Sequence, residues 1–164
     1  MTRKCSATLL MVFVLGTLSV FAGDSGSGSG HFINHNNLVE ITELDDGSSS
    51  LVMHYSSVTL ADDSSHPSAD MAAECVGVMR TNADGSFGSG EGTCFGQTAD
   101  GDTQSYWWKV DAAGTSACPD MCGSWGYFAG TGRFKGLQGT GTWQRTNVIG
   151  DLSWGTWKNS YSMP

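Results

Sequence analysis

The side chains that could do chemistry in this 164-residue sequence are four cysteines (Cys75, Cys94, Cys118, Cys122), six tryptophans, and one acid, Glu91, set among strand-like apolar residues. The fifth cysteine, Cys5, falls within the expected signal peptide, and the even number left in an exported chain is most simply a pair of disulfides. Asp84-Gly85 is a hairpin signal, and a hairpin centred there opposes residues whose numbers sum to 169, as Cys75 and Cys94 do. Directly opposed Cα atoms of an antiparallel pair lie within the range that a disulfide spans. The expected bridges are therefore Cys75–Cys94 and, by elimination, Cys118–Cys122. Neither CxxCH nor a paired CxxC is present, so neither haem nor zinc is expected. No cofactor and no metal are expected.

A second register fixes the tryptophans. Taking Asp84-Gly85 and Asp100-Gly101 as two-residue turns, one face of the sheet carries Val76, Val78, Glu91, Thr93, Phe95, Tyr106, Trp108 and Val110. The other carries Cys75, Gly77, Cys94, Gly96, Trp107 and Lys109. The first face has the bulk to line a cavity, which makes Glu91, Phe95, Tyr106 and Trp108 the expected ligand-binding residues. Glu91 would there be a poorly solvated carboxyl, able to serve as a general acid or as a polar anchor. The plainer alternative is that this face looks outward and Glu91 is an ordinary surface acid.

Other signals are local. There is no GxSxG, Walker loop, HExxH or N-x-S/T sequon. Asp45-Asp46-Gly47 and Asp100-Gly101-Asp102 lack the alternating oxygens and later glutamate of a calcium loop and read as hairpin turns. His31 and His35 have helical spacing where no helix is signalled, and are expected at the surface.

These residues must be positioned by a single domain. Arg3 and Lys4, an apolar run over Ala7 to Phe21, and small residues at Val20 and Ala22 predict a signal peptide of residues 1–22 cleaved after Ala22. The protein is thus expected to be secreted or periplasmic, with no membrane association after cleavage. Losing Arg3 and Lys4 leaves six scattered basic residues against 16 acidic ones, a net charge of −10, which excludes nucleic acid as a partner. Residues 23–37, beginning GDSGSGSG, read as a flexible leader. Strand-like runs follow at 38–44, 51–60, 73–81, 89–98, 103–111, 123–130, 136–146 and 152–160, with Asp-Gly turns between several of them. Residues 61–72 read as a polar loop. Eight strands in a meander close into a barrel or pack as two sheets, and glycines inside strands (Gly90, Gly92, Gly96, Gly139, Gly141) favour an all-β, eight-stranded antiparallel barrel over 38–164.

The run Gly130-Thr131-Gly132-Arg133-Phe134-Lys135-Gly136-Leu137-Gln138-Gly139-Thr140-Gly141 resembles the glycine-rich hairpin of the allene oxide cyclase and dirigent superfamily of β-barrels. Gly90 to Cys94, Asp100-Gly101-Asp102 and the aromatic stretch 106–108 extend the resemblance to exported bacterial relatives over roughly residues 73 to 146. It implies an eight-stranded barrel, often a homotrimer, whose central cavity in some members binds or cyclises a hydrophobic small molecule. The catalytic residues of the plant cyclases and of the dirigent proteins have no matching positions here. The expected function is the binding of a small hydrophobic or aromatic molecule. A cyclase or isomerase assisted by Glu91 is the first alternative, and a glycan- or protein-interaction module using exposed tryptophans the second.

Overall fold

The computed structural model describes residues 24–164, so the expected signal peptide lies outside the described residues. The chain forms eight antiparallel strands: β1 (Ser25–Glu43), β2 (Ser49–Ala61), β3 (Met71–Thr81), β4 (Phe87–Gln97), β5 (Thr103–Ala113), β6 (Met121–Gly130), β7 (Gln138–Ile149) and β8 (Leu152–Ser162). They pair in chain order and close into a barrel through β1 and β8. A single 3-10 turn, Gly132–Phe134, is the one helical element among the described residues.

Barrel closure corrects the expected leader. Residues 25–35 pair with β8 from Ser25↔Ser162 to His35↔Leu152, so the domain begins at Ser25 rather than at residue 38. The Gly-Ser alternation has the two-residue period of a strand, with its glycines turned inward. A side chain on Gly26 would strike Tyr161, on Gly28 the ring of His66, and on Gly30 that of Trp157. Only glycine fits there.

The same device recurs round the wall. Trp125 opposes Gly141, Trp143 opposes Gly123, Phe32 opposes Gly155 and Trp108 opposes Gly92, and in each pair the ring occupies the space a Cβ would need. Rings laid over cross-strand glycines let a narrow barrel hold several large aromatics.

Three hairpins share one turn. Leu44–Ser48, Asn82–Ser86 and Thr98–Asp102 each close with an N–H of the first residue donating to the carbonyl of the last. In each, a glycine at positive φ (Gly47, Gly85, Gly101) donates back to the first carbonyl. These are three-residue loops with a left-handed glycine, not the two-residue turns expected. The extra residue shifts register by one. Between β3 and β4 a bulge beyond Arg80↔Ser89 restores it, so Cys75 opposes Cys94 and the two are bridged, with Cα atoms 4.1 Å apart. Between β4 and β5 no shift intervenes: Glu91 opposes Lys109 and Cys94 opposes Tyr106. Cys118, in the connection between β5 and β6, is bridged to Cys122 of β6.

One end of the barrel is filled by the β2–β3 connection, whose residues His66 to Ala69 are buried beside Phe134 and Leu137. The expected polar surface loop is therefore a plug. Its polar atoms form a closed hydrogen-bond circuit. The Ser68 N–H donates to His66 Nδ1 (3.1 Å), which places the imidazole proton on Nε2, and Nε2 donates to Asn159 Oδ1 (3.1 Å). Asn159 Nδ2 donates to the Tyr127 hydroxyl (3.1 Å), Tyr127 to Ser68 Oγ (2.7 Å), and Ser68 Oγ to Gln104 Oε1 (3.2 Å). The opposite end stays open.

Two outcomes test this architecture. Gly92→Ala should destabilise the protein by about 1–3 kcal/mol in urea unfolding, because Trp108 and the β3 backbone occupy the space of the new methyl. The second concerns pH. Burial among Trp157 and Tyr161 holds His66 below its ordinary value of 6.5, although its bond to Asn159 and the charge of Asp63 partly oppose this. The unfolded chain then takes up that proton at a higher pH than the folded one, so stability falls as pH drops from 6.5 towards the folded pKa. Asp46, Asp63 and Asp84, held low by bonds from Ser48, Ser65 and Ser86, act in a separate window below their ordinary 3.8. Urea midpoints at pH 7.5 and 5.5, as chosen test conditions about one unit either side of a normal imidazole pKa, should differ in the wild type and converge in His66→Gln.

Candidate functional site: an aromatic cavity

Between the plug and the open end lies a cavity of about 160 Å³. Its wall is aromatic: Phe32 and Tyr55 from β1 and β2, Tyr106 and Trp108 from β5, Trp125 from β6, Trp143 and Trp157 from β7 and β8. Met53, Met79 and Met121 stand nearer the open end, and Ser68 and Gln104 of the plug circuit form the floor. Edge-to-face contacts fix the rings. Trp125 meets Tyr106 at 6.0 Å, Tyr127 at 5.0 Å and Trp157 at 5.9 Å between centroids, and Trp108 meets Trp143 at 6.5 Å.

Three tyrosine hydroxyls lie inside. Burial raises the Tyr106 hydroxyl to about 12, against weaker opposing bonds from Ser57 and Thr59, and raises those of Tyr55 and Tyr127 well above the usual range. All three keep their protons at neutral pH and act as donors, not bases. Tyr55 and Tyr106 lie over the Cys75–Cys94 bridge, their oxygens 3.7 Å from Cys94 Sγ and 4.0 Å from Cys75 Sγ. The buried indole N–H groups of Trp108 and Trp125 have no partner among the described residues. Each such group costs about 1–3 kcal/mol. Trp125 Nε1 rests on Gly141, and the Trp108 ring rests on Gly92 through Cε2 and Cζ2; the strand backbones of both glycines are already paired.

The cavity carries one charged side chain among the described residues that line it, Arg145, at the open end on β7. Asp120 holds it in a two-pronged pair, Nε to Oδ2 at 2.6 Å and Nη2 to Oδ1 at 2.7 Å. Asp120 is itself fixed within the loop that the Cys118–Cys122 bridge closes. Asn34 and Asn36 of β1 stand at the same end.

Of the four residues expected to contact a ligand, the structure brings Tyr106 and Trp108 into the wall and leaves Glu91 and Phe95 on the outer face, Phe95 being 54% exposed. Val76 and Val78 are likewise outside, whereas Cys75, Gly77, Cys94 and Gly96 face inward. The cause is the one-residue difference of the Thr98–Asp102 loop, which exchanges the faces of β4 relative to β5. Four of the tryptophans (Trp108, Trp125, Trp143, Trp157) line the cavity, and Trp107 and Trp154 lie half-buried outside. The sequence reading passed over Arg145, Asp120, Tyr55 and the plug circuit. Period-two spacing after Trp143 places Arg145 on the inner face, a signal that was available.

No protein-family model matches the chain, and neither does any curated protein. Among solved structures, the chain is similar to the pterocarpan synthase dirigent protein GePTS1 at 11% identity, with a TM-score of 0.51 over 96% of this chain and 99% of that one. The pterocarpan synthase dirigent protein PsPTS1 aligns at 10% identity with a TM-score of 0.42, over 85% of this chain and 94% of that one. At such identity the likeness to the first is one of fold. This chain has an eight-stranded, closed antiparallel barrel similar in fold to the solved dirigent protein GePTS1.

Proposed function

We propose that the protein binds a small, single-ring aromatic molecule inside its barrel. The observation that carries this reading is an aromatic-walled cavity of about 160 Å³, open at one end and closed by a hydrogen-bonded plug at the other. A dry apolar cavity of about 150 Å³ suffices for benzene, whereas drug-sized ligands need about 300 Å³ or more. Size thus favours one substituted ring over a fused system or a long chain. No carboxylate or imidazole is among the described residues lining the cavity, and its tyrosines remain protonated. The cyclase alternative loses its acid, since Glu91 stands outside. The interaction-module alternative loses most of its tryptophans to the interior.

Two disulfides support residence in an oxidising compartment, secreted or periplasmic, reached by export. The exposed outer face of β1 to β4 carries Ile33, Val58, Leu60, Val76, Val78 and Phe95, which supports association of copies, read here as a homotrimer. Light scattering of the purified protein should give three times the chain mass, and Val76→Glu should give monomer.

Ligand-observed NMR of the disulfide-bonded protein should show toluene binding saturably and naphthalene at least about tenfold more weakly, the size limit resting on the single-ring volume. Met53→Trp, whose larger ring takes up cavity space, should reduce toluene affinity by about tenfold or more, the scale of an overpacking cost of about 1–3 kcal/mol. Absence of saturable toluene binding to the wild type overturns the reading.

A further inference from the structure

The open end of the cavity has a chemistry of its own. Arg145 is the charged group there, in a chain of formal net charge −8, and Asp120 neutralises it through Nε and Nη2. Nη1 has no partner among the described residues, and the side chains of Asn34 and Asn36, which line the same cavity, make no hydrogen bond to a described residue. The Arg145 side chain is only partly exposed, 27% accessible, and lines the cavity. A paired guanidinium keeps strongly polarised N–H groups but offers little net attraction to an anion, which would also meet the Asp120 carboxylate. Such a site suits an uncharged oxygen acceptor.

We propose that Arg145 determines specificity and that the ligand is an uncharged single-ring aromatic bearing a carbonyl oxygen. The ring lies between Trp108, Trp125 and Trp143, and its carbonyl accepts from Arg145 Nη1 at the open end, with the Asn34 and Asn36 amides beside it. Asp120 is the positioning residue, and the Cys118–Cys122 bridge holds it in place. This rests on the aromatic-binding reading, which toluene tests by itself because it has no acceptor.

The experiment measures affinities of toluene, acetophenone and benzoate for the disulfide-bonded protein and for Arg145→Met, Arg145→Lys and Asp120→Asn, with melting curves to confirm folding. In the wild type, acetophenone should bind about tenfold more tightly than toluene, the worth of one hydrogen bond to a charged donor, and benzoate should bind more weakly than acetophenone. Arg145→Met should abolish the preference for acetophenone over toluene, and Arg145→Lys should reduce it. Asp120→Asn, which leaves Arg145 in place but removes its neutralising partner, should invert the order so that benzoate exceeds acetophenone. It carries the test if Arg145→Met fails to fold. Toluene binding without preference for acetophenone overturns this inference and leaves the cavity reading standing. A wild-type preference for benzoate overturns the uncharged class, and failure of toluene itself overturns both.

Discussion

A barrel of eight strands that keeps several indole and phenol rings inside has space for them only where the facing strand gives up its side chain. That constraint organises the molecule. Gly30, Gly92, Gly123, Gly141 and Gly155 each lie under a ring from the adjacent strand, and Gly26 and Gly28 make way for Tyr161 and the plug histidine. The rings consequently lie along the wall and leave a central space, instead of meeting in the middle and filling it. Two buried indole N–H groups, those of Trp108 and Trp125, have no partner among the described residues, that of Trp125 lying against Gly141. Their cost is the counterpart of keeping the wall thin, a trade between stability and hollow space familiar from binding sites.

Much of this architecture was legible in the sequence because its signals are local. Strand runs with period two, Asp-Gly pairs between them and glycines inside them yield eight antiparallel strands, with bounds close to those observed for all but β1, which begins thirteen residues earlier, at Ser25. The Cys75–Cys94 bridge was reached from the centre of one hairpin, even though the turn is longer than assumed, because a bulge near Gly88 takes up the extra residue. The same assumption failed one hairpin later, where no bulge compensates, and it carried Glu91 and Phe95 to the wrong face. Turn length and bulges act together to set register, and only their sum is visible in the pairing. The Gly-Ser stretch was misread for a related reason. Its composition says linker, while its alternation says strand, and what decides is the bulk of Tyr161, His66 and Trp157, far away in sequence.

The cavity floor and open end were less legible, since both are assembled from distant segments. His66, Ser68, Gln104, Tyr127 and Asn159 come from a loop and three strands, and each alone looks like an ordinary polar residue. Buried polar groups demand partners, and here the demand is met in a ring whose donors and acceptors are each assigned. Arg145 and Asp120 are likewise separated by the glycine-rich hairpin yet joined across the β6–β7 pair. The resulting site has one apolar wall, one rigid floor and one charged but neutralised rim.

Pairing β1 with β8 also has a consequence for how the chain reaches this state. The first strand to be synthesised finds its second neighbour only when the last is complete, so the ring closes through contacts of the greatest sequence separation, which form late. Until then β1 presents an unsatisfied edge, the kind of surface on which β proteins aggregate. Over its first six residues, Ser25 to Gly30, that edge reads SGSGSG, whose low β-propensity and lack of apolar side chains make this stretch a poor template for a foreign strand. The glycines that give way to Tyr161, His66 and Trp157 in the finished barrel thus also make that stretch of the unfinished one a poor site for aggregation.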